Sequence, residues 1–79
     1  MVTVHRAFGF RFVIFTNDHS PPHIHVVGPG GEAKITLEGP EGLALEWVSG
    51  IGRPEMRRIM REAGRERDRL IAEWRRIHG

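Results

Sequence analysis

The stretch Asn17-Asp18-His19-Ser20-Pro21-Pro22-His23-Ile24-His25-Val26-Val27 decides how the chain folds, because it holds a chain reversal and the strand that leaves it. Asn17 and Asp18 are turn formers, and the Ser20-Pro21-Pro22 step stiffens the connection. From His23 to Val27 the residues alternate, Ile24 and Val26 facing one way and His23 and His25 the other. That is the period of a strand with one buried face. The same stretch carries three of the five histidines and two of the five prolines. No other segment concentrates groups able to titrate, ligate a metal or move a proton near neutral pH.

Working outward toward the N-terminus, Ala7 to Phe15 predicts a strand. Phe8, Phe10, Phe12 and Ile14 alternate with smaller or polar residues and are expected in the core, and Gly9 marks a bulge or a close backbone approach. Toward the C-terminus, Gly28-Pro29-Gly30-Gly31 reads as a turn before a strand over Ala33–Glu38. Gly39-Pro40-Glu41-Gly42 is a second turn, before a strand over Leu43–Val48 in which Leu43, Leu45 and Trp47 alternate with Ala44, Glu46 and Val48. Loops this short favour antiparallel pairing, since a parallel return needs a crossover of about a dozen residues.

Pro54 suits a first helical turn and Glu55 the positive end of the macrodipole. Met56, Ile59, Met60, Ala63, Leu70, Ile71, Trp74 and Ile77 then recur at helical spacing, with Arg67 alone off-type. The spacing predicts one helix over Arg53–Ile77, with a helix pair broken at Gly64 as the alternative. The fold class is therefore α+β: a four-stranded antiparallel sheet with one C-terminal helix on its apolar face, in a single domain over 1–79 (sheet 7–48, helix 53–77). Trp47 and Trp74 are expected to join last strand and helix in the core. The uncovered face should carry Arg11, His23, His25, Lys34, Thr36, Glu38 and Glu46, and its edge strands invite strand addition by a partner or a second copy.

The chain has 79 residues and no cysteine, so no disulfide or thiolate site can staple it, and any metal must be held by histidine, carboxylate or backbone oxygen. The longest apolar run, Phe12-Val13-Ile14-Phe15, is far short of the roughly 20 residues that span a bilayer. No signal peptide is evident, and a cytoplasmic protein with no membrane partner is expected. The net charge of +2 is unevenly spread. From Arg53 onward nine arginines face five acids, whereas residues 1–52 carry three basic and five acidic side chains. Such asymmetry suits an anionic partner, RNA, DNA or an acidic protein, and Arg57, Arg58, Arg61 and Arg65 are the candidate nucleic-acid contacts. Glu62, Glu66 and Glu73 lie three or four residues from several arginines, which is equally the pattern of a solvated helix surface.

His23 and His25 are two apart on a strand, so their side chains leave one face about 6–7 Å apart. With Asp18 and His19 brought in from the turn, three readings are open. The four residues could be catalytic, a histidine pair moving protons at a phosphodiester. They could bind a divalent metal, with Asp18 as a ligand or as an acceptor orienting an imidazole. Or they could simply hold the loop or form a partner surface. Histidine-triad nucleotide hydrolases are set aside, because Pro21 stands where the first of three alternating histidines would be.

The segment Phe8-Gly9-Phe10 followed by Asp18-His19-Ser20-Pro21-Pro22-His23-Ile24-His25-Val26 resembles the signature of a small bacterial family, domain of unknown function 4160. The likeness runs on through Glu32-Ala33 to Trp74 and covers nearly the whole chain. The resemblance implies a toxin–antitoxin-like gene context with a small neighbouring partner, of the domain of unknown function 2442 type. The motif positions here are Asp18, His19, Pro21, Pro22, His23, His25 and Trp74. The arginine-rich helix and Gly64 depart from the pattern. The combined expectation is a small toxin–antitoxin-like protein whose histidine cluster binds or acts on RNA or another phosphate-bearing ligand. Its rivals are a non-enzymatic module that pairs with a small protein, and a histidine/aspartate metal-binding protein. Only the last calls for a cofactor, a divalent metal.

Overall fold

The computed structural model describes all residues, Met1–Gly79. Its elements run β1 (Val2–Ala7), β2 (Phe10–Ile14), β3 (His23–Gly28), β4 (Gly31–Gly39), β5 (Gly42–Ser49), α1 (Arg53–Arg65) and α2 (Arg67–His78). The five strands form one antiparallel sheet in sequence order, β1-β2-β3-β4-β5, so β1 and β5 are its edges. The α+β class, the antiparallel pairing and the C-terminal helical layer are as expected. The strand and helix counts are each one higher.

The extra strand arises at Phe8-Gly9. Ala7 pairs with Phe10, which leaves Phe8 and Gly9 as a two-residue turn with φ of 56° and 80°. Positive φ at both central positions matches the twist of a tight hairpin. Gly9 adopts this freely, but a phenylalanine there is uncommon, and alternation through Phe8 hides the turn. Phe8 is consequently an exposed turn residue with the Arg58 guanidinium over its ring, not part of the core.

Strand β2 sends Phe10, Phe12 and Ile14 to the helix side, joined by Ile24 and Val26 of β3 and by Ala33, Ile35 and Leu37 of β4. Against them pack Met56, Ile59, Ala63, Leu70, Ile71 and Trp74, forming one continuous buried cluster. At about 1.5–3 kcal/mol for each large side chain fully removed from water, this layer supplies most of the driving force for folding. The second helix begins after Glu66, whose φ and ψ of −97° and 6° interrupt α1 two residues beyond Gly64. Arg67, the position that broke the apolar series, donates from Nε to the Leu37 carbonyl at 2.7 Å and ties α2 to β4.

Trp47 is also displaced from its expected place. Lys34 pairs with Trp47 but Ile35 pairs with Leu45, so Glu46 is an extra residue on β5. Such a bulge reverses the alternation. Leu45 and Val48, opposite Ile35 and Ala33, face the helix layer, while Trp47, opposite Lys34, faces away from it. Thr36 Oγ1 donates to the Glu46 carboxylate at 2.6 Å on that same outer side.

The connection from β5 to α1 packs against the β3–β4 turn at Gly50. This residue has φ of +72°, and a Cβ there would lie 2.0 Å from the Gly30 carbonyl oxygen. Only glycine permits both the left-handed turn and the backbone approach.

Candidate functional site

Strand β3 starts beside the loop that carries Asp18, and this proximity builds the site. Leu37 donates its backbone N–H to the Pro22 carbonyl at 2.8 Å, which extends the β3–β4 pairing back into the proline step. The Ser20–Pro21 peptide is cis. The loop returns Asp18 over the first residue of β3, where Asp18 Oδ2 lies 3.0 Å from His23 Nε2.

Each histidine is oriented through its other nitrogen. His23 Nδ1 donates to the Pro21 carbonyl oxygen at 2.9 Å, which leaves Nε2 directed at Asp18. His25 Nδ1 lies 3.3 Å from the Glu32 carboxylate, with Glu32 as acceptor. The His25 ring sits edge-on to Phe15 at 4.6 Å and to Trp47 at 5.9 Å, and 5.6 Å from the His23 ring. Burial among these rings pushes the His25 pKa below its ordinary 6.5, although Glu32 and Asp18 pull the other way. The ligating atoms of Asp18, His23 and His25 all lie within 4.8 Å of one another.

Two placements differ from the expected polar, open face. His23 is buried, with its ring 6.5 Å from that of Trp74 on α2, and Thr36 is buried beside it. Val13, opposite His25, is likewise fully buried. The outer face is thus an aromatic and histidine cluster with polar margins. Asp18 Oδ2 is buried, yet its contact with His23 lacks the alignment of a hydrogen bond and no other donor reaches it. A carboxylate oxygen left this way is costly unless a proton or a cation completes it.

His19 stands apart. It is exposed and makes no side-chain hydrogen bond or ion pair. The arginines divide as well. Arg65 lies against the buried Glu62, and Arg67, Arg69, Arg75 and Arg76 each meet a carboxylate. Arg57, Arg58 and Arg61 pair with none, so three of the four proposed nucleic-acid contacts are free and the fourth is engaged.

From sequence alone His5 was passed over, and Glu62 reads only as a surface acid beside the arginines. His5 Nε2 is 2.6 Å from the Glu62 carboxylate, and its Nδ1 is 2.8 Å from Arg69, in a partly buried network that binds β1 to the helices. Glu62 occupies a helical position on the core side, between Ile59 and Ala63, and that phase was the available signal. Arg6 was passed over too. It lies directly opposite Arg11 on the His25 side of the sheet, and neither makes an ion pair. Like charges facing each other across a strand pair are unfavourable without a counter-charge.

No helix is long and apolar enough to cross a membrane. No curated protein and no solved structure matches the chain. The family model described as Domain of unknown function (DUF4160) does match, over residues 9–75, which takes in the Asp18–His25 motif, the whole of β3 to β5 and nearly all of the helical layer. The chain belongs to that family.

Proposed function

We propose that this protein binds a divalent transition metal through Asp18, His23 and His25, and that the metal's remaining positions take an oxygen of a phosphate-bearing ligand, RNA among them. The observation that carries the reading is the convergence of one nitrogen from each imidazole, Nε2 in the case of His23, with one buried, unpartnered carboxylate oxygen of Asp18. Both imidazoles have Nδ1 committed to an oxygen acceptor. Metal-ligating histidines are oriented in just this manner, through a carbonyl or carboxylate behind the ring. Two ligands bonded at about 2.1 Å stand about 3.0–3.4 Å apart in octahedral or tetrahedral sites, and Asp18 and His23 already do at 3.0 Å. Asp18, carried by a loop, is the ligand free to close on an ion.

Two histidines with one carboxylate leave positions open, as catalytic rather than structural sites do. Arg6, Arg11 and Lys34 lie on the same side of the sheet as His25, without carboxylate partners, and supply positive charge for a phosphate. Proton transfer by a histidine pair has less support: the Nδ1 atoms are occupied, and His19 lies outside the cluster. A toxin–antitoxin-like role remains part of the proposal, carried by the family context alone.

The test is cobalt(II) titration of protein prepared without a histidine tag. One Co(II) per chain is expected, with visible absorption bands that zinc abolishes, and with at least a tenfold loss of affinity in Asp18→Ala and in His23→Ala. Absence of the bands, or their persistence in both variants, overturns the reading. For the ligand, a short single-stranded RNA should bind more weakly after Arg6→Ala/Arg11→Ala.

A further inference from the structure

A second surface lies on the opposite side of the sheet, at its β5 edge. Between β5 and α1 runs a groove whose apolar lining is Leu45, Val48, Ile51, Met56 and Met60. Its remaining lining is basic, Arg53, Arg57 and Arg61, with no acidic residue. All three arginines are without an ion-pair partner, whereas the five from Arg65 to Arg76 are all paired. Leu45, Trp47 and Val48, on adjacent turns of the pleat, are each 40% exposed or more, and apart from Met1 and Phe8 they are the large apolar side chains left in solvent. They stand on an edge strand whose outward N–H and C=O groups have no neighbour. Soluble chains guard such edges with charge, proline, bulges or cover. From Leu45 to Val48 the single charge, Glu46 at the bulge, is tied to Thr36 on the outer side, and the groove side carries none.

We infer that the β5 edge and the groove beside it receive an extended, acidic segment of a partner protein, added to the sheet as a sixth strand. Backbone pairing would satisfy the open edge. Every second side chain of the added strand would enter the groove, apolar ones over Leu45 and Val48 and carboxylates on that same face at Arg53, Arg57 and Arg61. The charge and the apolar lining together select this occupant. A nucleic acid would satisfy the arginines but leave the apolar lining uncovered. A second copy paired through β5 would cover that lining but bring its own arginine rim toward the first.

The probe is a soluble peptide of about eight residues, one strand length, with valine and glutamate taking turns along one face and threonine at every position of the other. Its lysine counterpart and a single-stranded RNA serve as competitors. Binding is read from Trp47 fluorescence, assigned by Trp47→Phe, and from amide shifts along β5. The expected result is binding of the glutamate peptide at least tenfold tighter than the lysine peptide. At least tenfold weakening is expected in Arg57→Glu/Arg61→Glu, whose exposed positions leave the thermal melt unchanged, and binding should persist in His23→Ala. Equal binding of the two peptides, no binding of the glutamate peptide, or its displacement by the RNA overturns the proposal. So does a dimer by light scattering that excludes the peptide.

Discussion

The two faces of the sheet are built from the same strands and serve opposite ends. On the helix side, seven strand residues (Phe12, Ile14, Ile24, Val26, Ala33, Ile35 and Leu37) are fully buried, and all of them are apolar. On the outer side, alternate residues of the same strands give His23, His25, Thr36 and Lys34, with Val13, Phe15 and Trp47 around them. The first face holds the fold together. The second contains buried polar atoms whose best partners are one another or a ligand. The difference shows how a chain this small separates stability from chemistry: the pleat assigns odd and even residues to different layers.

That separation can be broken most severely from the helix side. Phe12→Ala removes a fully buried ring and should cost about 3–5 kcal/mol. A domain of this size commands only about 4–12 kcal/mol in all. Urea denaturation should show a largely unfolded chain or a sharply lowered midpoint. Glu62→Ala, at the network joining β1 to the helices, should cost about 1–3 kcal/mol, since it strands a partly buried His5. The double variant Glu62→Ala/His5→Ala should be less destabilised than the sum of the two single ones.

On the outer face, His25→Ala should behave in the reverse way. Its partly buried ring should cost only about 1 kcal/mol of stability in urea denaturation, the centre of the range for single substitutions and well short of Phe12→Ala, while cobalt(II) affinity falls at least tenfold. Loss of stability comparable with Phe12→Ala would erase the distinction between the faces. The pH dependence sharpens the same point. Burial lowers the His25 pKa below 6.5 in the folded chain, so the neutral ring favours folding. That contribution is fully present above pH 6.5 and is lost as pH falls through the lowered folded value, because the unfolded chain then binds more protons. Metal-free protein should therefore lose stability on acidification below pH 6.5, and His25→Ala should lose less. The smallest effect expected is a gain. At Gly64 an added Cβ would meet only Leu43 Cδ2, at an ordinary 3.8 Å, so Gly64→Ala should raise stability by about 0.5–1 kcal/mol.

Much of this was legible before any coordinates. The alternation in His23–Val27 and Ala33–Glu38, and the Gly-Pro turns between strands, specify the central antiparallel pairs, because period-2 burial and turn chemistry are local properties. The helical spacing from Met56 to Ile77 marks the covering layer for the same reason. Asp18, His23 and His25 stand out as a candidate site through their closeness in sequence. The hairpin at Phe8-Gly9 was hidden because a phenylalanine at positive φ looks, in sequence, like one more alternating strand residue. The bulge at Glu46 was hidden because an inserted residue leaves no mark when its neighbours are apolar on both sides.

The sequence by itself determined the class of fold, the two-faced strands and the group of residues from which a site could be drawn. Only the tertiary structure decided which of them meet. It gathered Asp18, His23 and His25 and left His19 outside, since a loop's return path depends on the strand it closes against. It placed Glu62 with His5, 57 residues apart, and separated the free arginines of α1 from the paired ones beyond them. Charge pairing and burial depend on which surfaces face each other, and periodicity along one segment carries no record of that.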